Sequence, residues 1–217
     1  MSSEINTWLR RKLPLIFDQE HSIETMEIPI FPLNTVLFPG GILPLRVFEQ
    51  RYMDMTKACL RDDKPFGICL IKEGEEVGKP AIPEPIGCLA RISDWDMQQL
   101  GILNMKAVGL QRFSIQSQTT EANGLIMAKV VTVTTEPPQP IPETLQPCAT
   151  VLQRIVNEVG EDKFLAPLQY DDAVWVGYRL AEVLPLKLSA KQSMLEMNDS
   201  ITRLQILNSF LKQQGLT

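Results

Sequence analysis

The chain reads FPLNTVLFPGGILPLRVFEQRY over residues 31–52, where turn, strand and helix signals follow one another. Pro39-Gly40-Gly41 allows a tight turn and a close approach of backbone, and Pro44 keeps the residues after the turn extended. Residues 48–60 then carry apolar side chains at helical spacing, and Asp62-Asp63 closes that run. The stretch therefore predicts a strand, a strand-to-helix junction and one helix.

Strand patterns lie on both sides of this helix, from residue 26 to residue 135. Residues 28–33 are extended and apolar, and their two prolines favour an edge strand. Residues 66–71 are apolar on both faces, which is typical of a buried strand. Residues 73–85 hold three prolines and several charges, which predicts a loop.

The second half of this strand region carries signals for curvature and for a hairpin. Residues 103–107 alternate between apolar and polar, and Gly109 predicts a bulge that curves the sheet towards a barrel. Asn123-Gly124 lies between two strand-like runs and predicts a hairpin turn, because both residues tolerate positive φ.

Residues 136–143 are rich in proline and predict a stiff, extended connector. After it the apolar spacing changes from a period of two to the helical period of 3.6. Four helices are predicted: one that ends at Gly160, one capped by Asp171 or Asp172, one with a capping box of Ser189 and Gln192, and one capped by Asn198 or Asp199.

These patterns predict an α+β protein in which a β-barrel domain precedes a small C-terminal helical bundle. The predicted parts are an N-terminal appendage over residues 1–25, the barrel over 26–135, the connector over 136–143 and the helical subdomain over 144–217.

The residues that catalysis or metal binding would need are scarce. The single histidine, His21, lies in the appendage, and the four cysteines are scattered without a Cys-x-x-Cys pair. Neither a nucleophile with its base nor a zinc site follows from this set. Gly74 to Lys79 resembles a phosphate-binding loop, but its spacing is one residue short and Pro80 replaces the hydroxyl residue. We therefore expect no catalytic, cofactor or metal site, and no enzyme activity.

Asp94-Trp95-Asp96 is the carboxylate pair with the strongest claim to chemistry. Two acids on one face of a strand can hold a metal or divide general acid and base roles, which keeps an unassigned hydrolase as an alternative. Solvated acids around a packed indole are the favoured interpretation.

Charge argues against nucleic-acid binding. The net charge is −5 and no region of the chain has a basic surplus, whereas phosphate recognition draws on one. No apolar run approaches the roughly 20 residues that cross a bilayer, and the N-terminus lacks the apolar core of a secretory signal. The expected compartment is the cytoplasm.

Five blocks of the sequence resemble the N-terminal substrate-binding domain family of Lon protease, especially its small standalone bacterial members. They are the opening stretch over residues 31–52, residues 66–68 and 87–92, residues 109–113, and residues 184–196. The resemblance implies a PUA-like β-barrel followed by a helical subdomain, and recognition of unfolded or extended polypeptide, with a protease or chaperone system as a candidate partner. Lon's ATPase and protease motifs are absent from this sequence, so proteolysis is not carried over. RNA binding, which other PUA-like barrels perform, is the alternative.

The densest resemblance surrounds the strand-to-helix junction. The candidate peptide-contacting residues there are Arg46, Phe48, Glu49, Arg51 and Tyr52. The other interpretation of the same five residues, which we favour, is an internal ion-pair and aromatic cluster that fixes the helix on the barrel.

Overall fold

Strands fill the first part of the chain and helices the second. The computed structural model describes residues 25–216, and its strand region consists of β1 (Thr25–Leu33), β2 (Ile42–Val47), α1 (Gln50–Asp62), β3 (Phe66–Glu73), β4 (Ile82–Pro83), β5 (Ile86–Gln99), β6 (Ile102–Thr120) and β7 (Ile126–Thr132). The helical region consists of α2 (Gln146–Val159), α3 (Ala173–Val183), α4 (Leu188–Glu196) and α5 (Ser200–Gln213), with 3₁₀ turns at Glu143–Leu145 and Glu161–Lys163. The α+β prediction is confirmed. The predicted appendage lies outside the described residues except for Thr25, which begins β1.

Five strands close into a ring. Their order is β1-β7-β6-β5-β3, and β3 returns to pair with β1 in parallel. Every strand of the ring contributes to one buried cluster, which is therefore the interior of the barrel: Ile28, Ile30, Cys69, Leu89, Phe113, Ile126, Ala128 and Val130. A second cluster packs α1 against the outside of the ring and against β2.

The prediction that β1 is an edge strand is wrong, because β1 pairs on both sides. It runs antiparallel to β7 from Thr25 to Ile30 and parallel to β3 from Ile30 to Leu33. Pro29 lies where only β7 is a partner, and Pro32 lies where only β3 is one. Each missing N–H therefore falls where β1 has a neighbour on one side only.

The bulge predicted at Gly109 is confirmed. The register between β5 and β6 shifts between the pairs Cys88–Arg112 and Ala90–Gly109. Gly109 exchanges backbone hydrogen bonds with the turn before β2, at 2.8 Å from the Gly40 nitrogen and 2.9 Å to the Gly41 oxygen. A Cβ on Gly109 would lie 2.2 Å from the Phe38 carbonyl oxygen, so only glycine allows this approach.

The predicted hairpin joins β6 to β7, but its turn differs from the expected one. The Glu121 nitrogen donates to the Leu125 oxygen at 2.8 Å, which closes a loop longer than two residues. Gly124 has a φ of 86°. Asn123 instead caps the turn with its side chain, whose Oδ1 accepts from the Leu125 nitrogen at 2.8 Å.

Three of the four predicted helix boundaries are confirmed. Gly160 ends α2 with a φ of 97°, and the Asp172 carboxylate accepts from the backbone of Val174 at the start of α3. Asp199 caps α5, and the N–H groups of Thr202 and Ile201 lower the pKa of its carboxyl.

The predicted capping box of Ser189 and Gln192 is wrong. The N-cap of α4 is Lys187, without a side-chain hydrogen bond, and Ser189 lies inside the helix. Gln192 is buried and donates instead to the Ile86 carbonyl oxygen of β5 at 3.0 Å. The local pattern assigned the Gln192 side chain to the helix end. In the structure that side chain binds the barrel instead, at a residue distant in sequence.

One buried carboxylate joins the barrel to the bundle. Glu136 lies just after the strand region and accepts from the Arg203 guanidinium of α5 and, at 3.0 Å, from the Tyr178 hydroxyl of α3. Burial raises the pKa of Tyr178 to about 12, so its hydroxyl keeps the proton that it donates. Arg112 of β6 lies 3.8 Å from the same carboxylate.

The two buried arginines also bind the carbonyl end of α4. Arg112 donates to the oxygens of Leu195 and Met197 at 2.9 and 3.0 Å, and Arg203 donates from Nε to Met194 at 3.1 Å. One barrel strand and three helices thus share a single polar network, which reaches into the residues predicted as a connector.

All four cysteines are free and buried. Burial raises the pKa of Cys59 and Cys148 to about 11 and that of Cys88 to about 12, and it also raises the pKa of Cys69. Each group is therefore a protonated, inert thiol at neutral pH.

We predict that Glu136→Gln lowers the free energy of unfolding by about 3–5 kcal/mol, because two buried guanidinium groups lose their counter-charge. Chemical denaturation measures this. The matched control is Asp162→Asn, which removes a carboxylate whose 3.0 Å pair with Lys163 is exposed, and it should change stability by no more than about 0.5 kcal/mol. Equal effects of the two substitutions would contradict a structural role for Glu136.

We predict that the thiols of the native protein react with a thiolate-specific disulfide reagent at pH 8 at least about 100-fold more slowly than those of the urea-unfolded chain. A pKa raised by two units reduces the thiolate fraction by that factor, and burial slows the reaction further. The unfolded chain should release four equivalents of the reagent's chromophore, one for each cysteine. A native thiol that reacts as fast as those of the unfolded chain would contradict the burial of the four cysteines.

Candidate functional site

The strand-to-helix junction follows a turn that contacts helix α3 of the bundle. Gly40 in this turn has a φ of 72°. Arg179 of α3 donates to the Pro39 carbonyl oxygen at 2.8 Å and pairs through Nε with Glu182 at 3.0 Å. A Cβ on Gly41 would lie 2.4 Å from a Glu182 carboxylate oxygen. The glycines therefore allow the close approach that the sequence predicted, and the approach fixes where β2 begins.

The five candidate residues divide by exposure. Arg46 and Phe48 are exposed, Glu49 is partly buried, and Arg51 and Tyr52 are buried. Phe48 leaves 53% of its surface exposed although it follows a buried valine directly. Only part of the set thus offers its side chain to a partner.

Arg51 and Tyr52 form an internal cluster with their neighbours. The Arg51 guanidinium pairs with Glu49 at 3.0 Å and donates to the Gly124 carbonyl oxygen at 3.0 Å. It also lies 4.6 Å from the centre of the Tyr52 ring, which stacks on Phe31 with 4.0 Å between centroids. Burial raises the pKa of Tyr52, so the phenol stays neutral. These contacts fix α1 on the ring and orient the Glu49 carboxylate.

A small recess lies between the junction and the loop after β3. Its volume is about 50 Å³, and its lining includes Phe48, Glu49, Glu76 and Val77. The Glu76 carboxylate accepts from the Asn34 backbone N–H, which ties the loop to the ring. Val77, like Phe48, is 53% exposed. Val77 is not among the predicted contact residues, although an isolated valine in a charged loop was a usable signal.

A larger groove lies across the end of β2, the start of β6 and the second half of β5. It measures about 360 Å³ and is lined by Pro44, Leu45, Arg46, Asp94, Trp95, Asp96, Asn104, Met105 and Lys106. Arg46 lines both the groove and the recess, so the two are neighbours on one surface.

The carboxylate pair lies on this groove. Asp94 and Asp96 are exposed, and Asp94 pairs with Lys106 at 3.3 Å. The expectation of a packed indole between them is wrong, because Trp95 is 54% exposed. The far half of the β5–β6 hairpin extends beyond the closed ring, and there β5 has β6 as its strand partner on one side only. Met97 and, at the hairpin tip, the 96% exposed Leu100 continue the apolar surface.

Within residues 25–216, no group of three or more histidine, cysteine, aspartate or glutamate residues is placed to hold a metal ion. His21, the single histidine, lies outside this range. No helix in the same range is long and apolar enough to span a membrane.

Comparison with known proteins identifies relatives of this architecture. A family model described as the ATP-dependent protease La (LON) substrate-binding domain matches residues 27–213. Over 88% of its length the chain is 24% identical to the Lon protease of Cytophaga hutchinsonii and 25% identical to that of Escherichia coli (strain K12). It spans about a quarter (25%) of the length of these curated relatives.

Solved structures show the same fold. A Lon N-terminal domain protein from Xanthomonas campestris is 34% identical, with a TM-score of 0.71, and the match covers 85% of this chain and 98% of that one. The N-terminal domain of Mycobacterium avium complex Lon protease matches in fold at 16% identity, with a TM-score of 0.61 over 86% of this chain and 98% of that one. Because the family model covers residues 27–213, this protein belongs to the LON substrate-binding domain family.

Proposed function

We propose that this chain is a non-catalytic module that binds unfolded or extended polypeptide. The observation that carries the proposal is an exposed aromatic side chain, Phe48, at a rigid junction in a substrate-binding-domain fold. Neighbouring exposed apolar side chains mark interaction sites, and Phe48 shares the recess with the exposed Val77.

In this proposal Phe48 and Val77 supply apolar contact, and Arg46 and Glu49 supply charge at the rim. Arg51 and Tyr52 support this surface from beneath, since both are buried. The recess is shallow, so it takes single side chains of an extended chain and not a folded partner. Ordering a disordered ligand opposes binding, and we expect a dissociation constant on the order of micromolar or weaker for one segment.

Membership of this family also suggests a setting. The curated relatives are named Lon protease, and a binding module could deliver polypeptide to a protease or chaperone system. We infer a cytoplasmic location on the same ground.

RNA binding is the second candidate, favoured only by the PUA-like barrel that the family resemblance implies. The net charge of −5 opposes it, because binding to phosphates depends on cationic side chains.

We predict that an unfolded, fluorescently labelled polypeptide binds the protein with an affinity that changes little between low and high salt, because apolar contact dominates. Phe48→Ser should weaken binding about tenfold, the cost of one well-placed aromatic contact. Leu188→Ser is the matched control, since Leu188 is an exposed apolar residue on α4, and it should leave binding unchanged. Fluorescence anisotropy measures both.

A single-stranded RNA titrated in parallel separates the alternatives. Phosphate-driven binding falls steeply with salt. Tight, salt-sensitive RNA binding without any response to polypeptide would contradict the proposal.

We predict that the purified protein neither hydrolyses ATP nor cleaves casein, because the sequence offers no nucleotide loop and no nucleophile with its base. Phosphate release and casein fluorescence measure these activities. Turnover that co-purifies with the protein and is lost in Asp94→Asn or Asp96→Asn would instead support a hydrolase.

A further inference from the structure

The outer edge of β5 is open over its far half. Its pairing with β3 ends at Ala90, and beyond that point its strand partner is β6 alone, up to Gln99. The end of α1 covers the start of this half, where Arg91 lies 3.9 Å from Asp63. From Ser93 onward, no other strand of residues 25–216 pairs with β5, so one row of backbone donors and acceptors faces outward.

This edge differs from that of β2, which is also unpaired on one side. β2 carries Pro44, which has no N–H to offer, whereas the segment from Ser93 to Gln99 contains no proline. The register with β6 shifts on either side of Asp94 to Asp96. A strand added to β5 would therefore pair over a short stretch centred on Trp95.

The side chains along the edge alternate in chemistry. Trp95 and Met97 face one side of the sheet, and Asp94 and Asp96 face the other. All four are exposed. Asp94 shares its charge with Lys106, whereas Asp96 has no ion pair within the described part of the chain.

The charges of Asp94 and Asp96 determine which kind of strand can pair with this edge of β5. If a second copy paired antiparallel through its own Trp95, Asp94 of one chain would face Asp96 of the other, and like charges in that position are destabilising. A segment that places lysine or arginine beside these carboxylates, and apolar residues beside Trp95 and Met97, satisfies both faces.

We propose that the open edge of β5, centred on Trp95, binds an extended polypeptide segment of alternating basic and apolar residues as an added strand. This inference rests on the proposed function and names the ligand chemistry and the binding mode. The groove beside the edge shares Arg46 with the recess at Phe48, so a longer polypeptide reaches both.

The test uses a labelled peptide that alternates lysine and valine, with two N-methylated versions. In an added strand only every second N–H points at β5. Methylating one set of alternate residues should weaken binding at least about tenfold through the loss of hydrogen bonds, while methylating the other set should have little effect. A peptide of the same composition with lysines and valines in separate blocks should bind weakly.

Protein variants locate the contact. Asp96→Asn should weaken binding of the alternating peptide about threefold, as expected for an exposed ion pair. Trp95→Ala should weaken it about tenfold, and circular dichroism confirms that both variants are folded. Glu143→Gln and Ile206→Ser, which change an exposed carboxylate and an exposed apolar residue of the helical region, are the matched controls and should bind normally.

The outcomes separate the two proposals. Equal loss, or no loss, from the two methylated peptides would overturn strand addition, while binding of the unfolded polypeptide would still support the proposed function. Failure of both ligands to bind would overturn the two together. A concentration-dependent dimer that Trp95→Ala abolishes would show that a second copy is the occupant, and would also overturn the inference.

Discussion

The buried carboxylate of Glu136 is the contact on which the arrangement of the two halves depends. Two guanidinium groups, from Arg112 in the barrel and Arg203 in the bundle, are buried beside it. A buried charge is tolerated only when it is paired and hydrogen-bonded, so the two guanidinium groups can be buried together only because Glu136 lies beside them. The carbonyl groups at the end of α4 satisfy the remaining donors. The prolines after Glu136 suggest a spacer. Glu136 itself, however, lies in the polar contact between the barrel and the bundle.

The position of the candidate surface follows from that arrangement. Once α3 is fixed, Arg179 lies against the Pro39 carbonyl and the two glycines beside it, which sets the start of β2. Phe48 therefore lies between a strand whose start the bundle fixes and a helix that packs against the ring. Sites on rigid elements hold their contacts more precisely than sites on loops. The buried Arg51–Tyr52 pair adds the last constraint, because it packs α1 against Phe31 of the ring.

Local features of the sequence predicted local structure well. Gly160, Asp172 and Asp199 act through their own backbone or their nearest neighbours, so their roles could be inferred without knowing the fold. The bulge at Gly109 was predicted as well, but its contact with the turn at Gly40 and Gly41 was not. Gln192, by contrast, is held by Ile86 in another element, and a pattern of neighbouring residues cannot anticipate such a contact. The edge-strand prediction from the prolines of β1 was wrong for a related reason. In the ring, the side on which β1 has a partner changes along the strand.

The candidate surface was predicted only in part, for the same physical reason. The junction residues were identified together, but their exposure depends on which face α1 turns to the ring. Trp95 was expected to pack, and nothing in residues 94–96 indicates that the hairpin extends past the barrel.

That extension creates an open strand edge, which proteins normally protect against self-pairing. Asp94 and Asp96 oppose antiparallel pairing of two copies through Trp95, because like charges would then face each other. In the proposed binding mode the same carboxylates attract a basic strand, so one pair of residues disfavours self-pairing and favours a different chain.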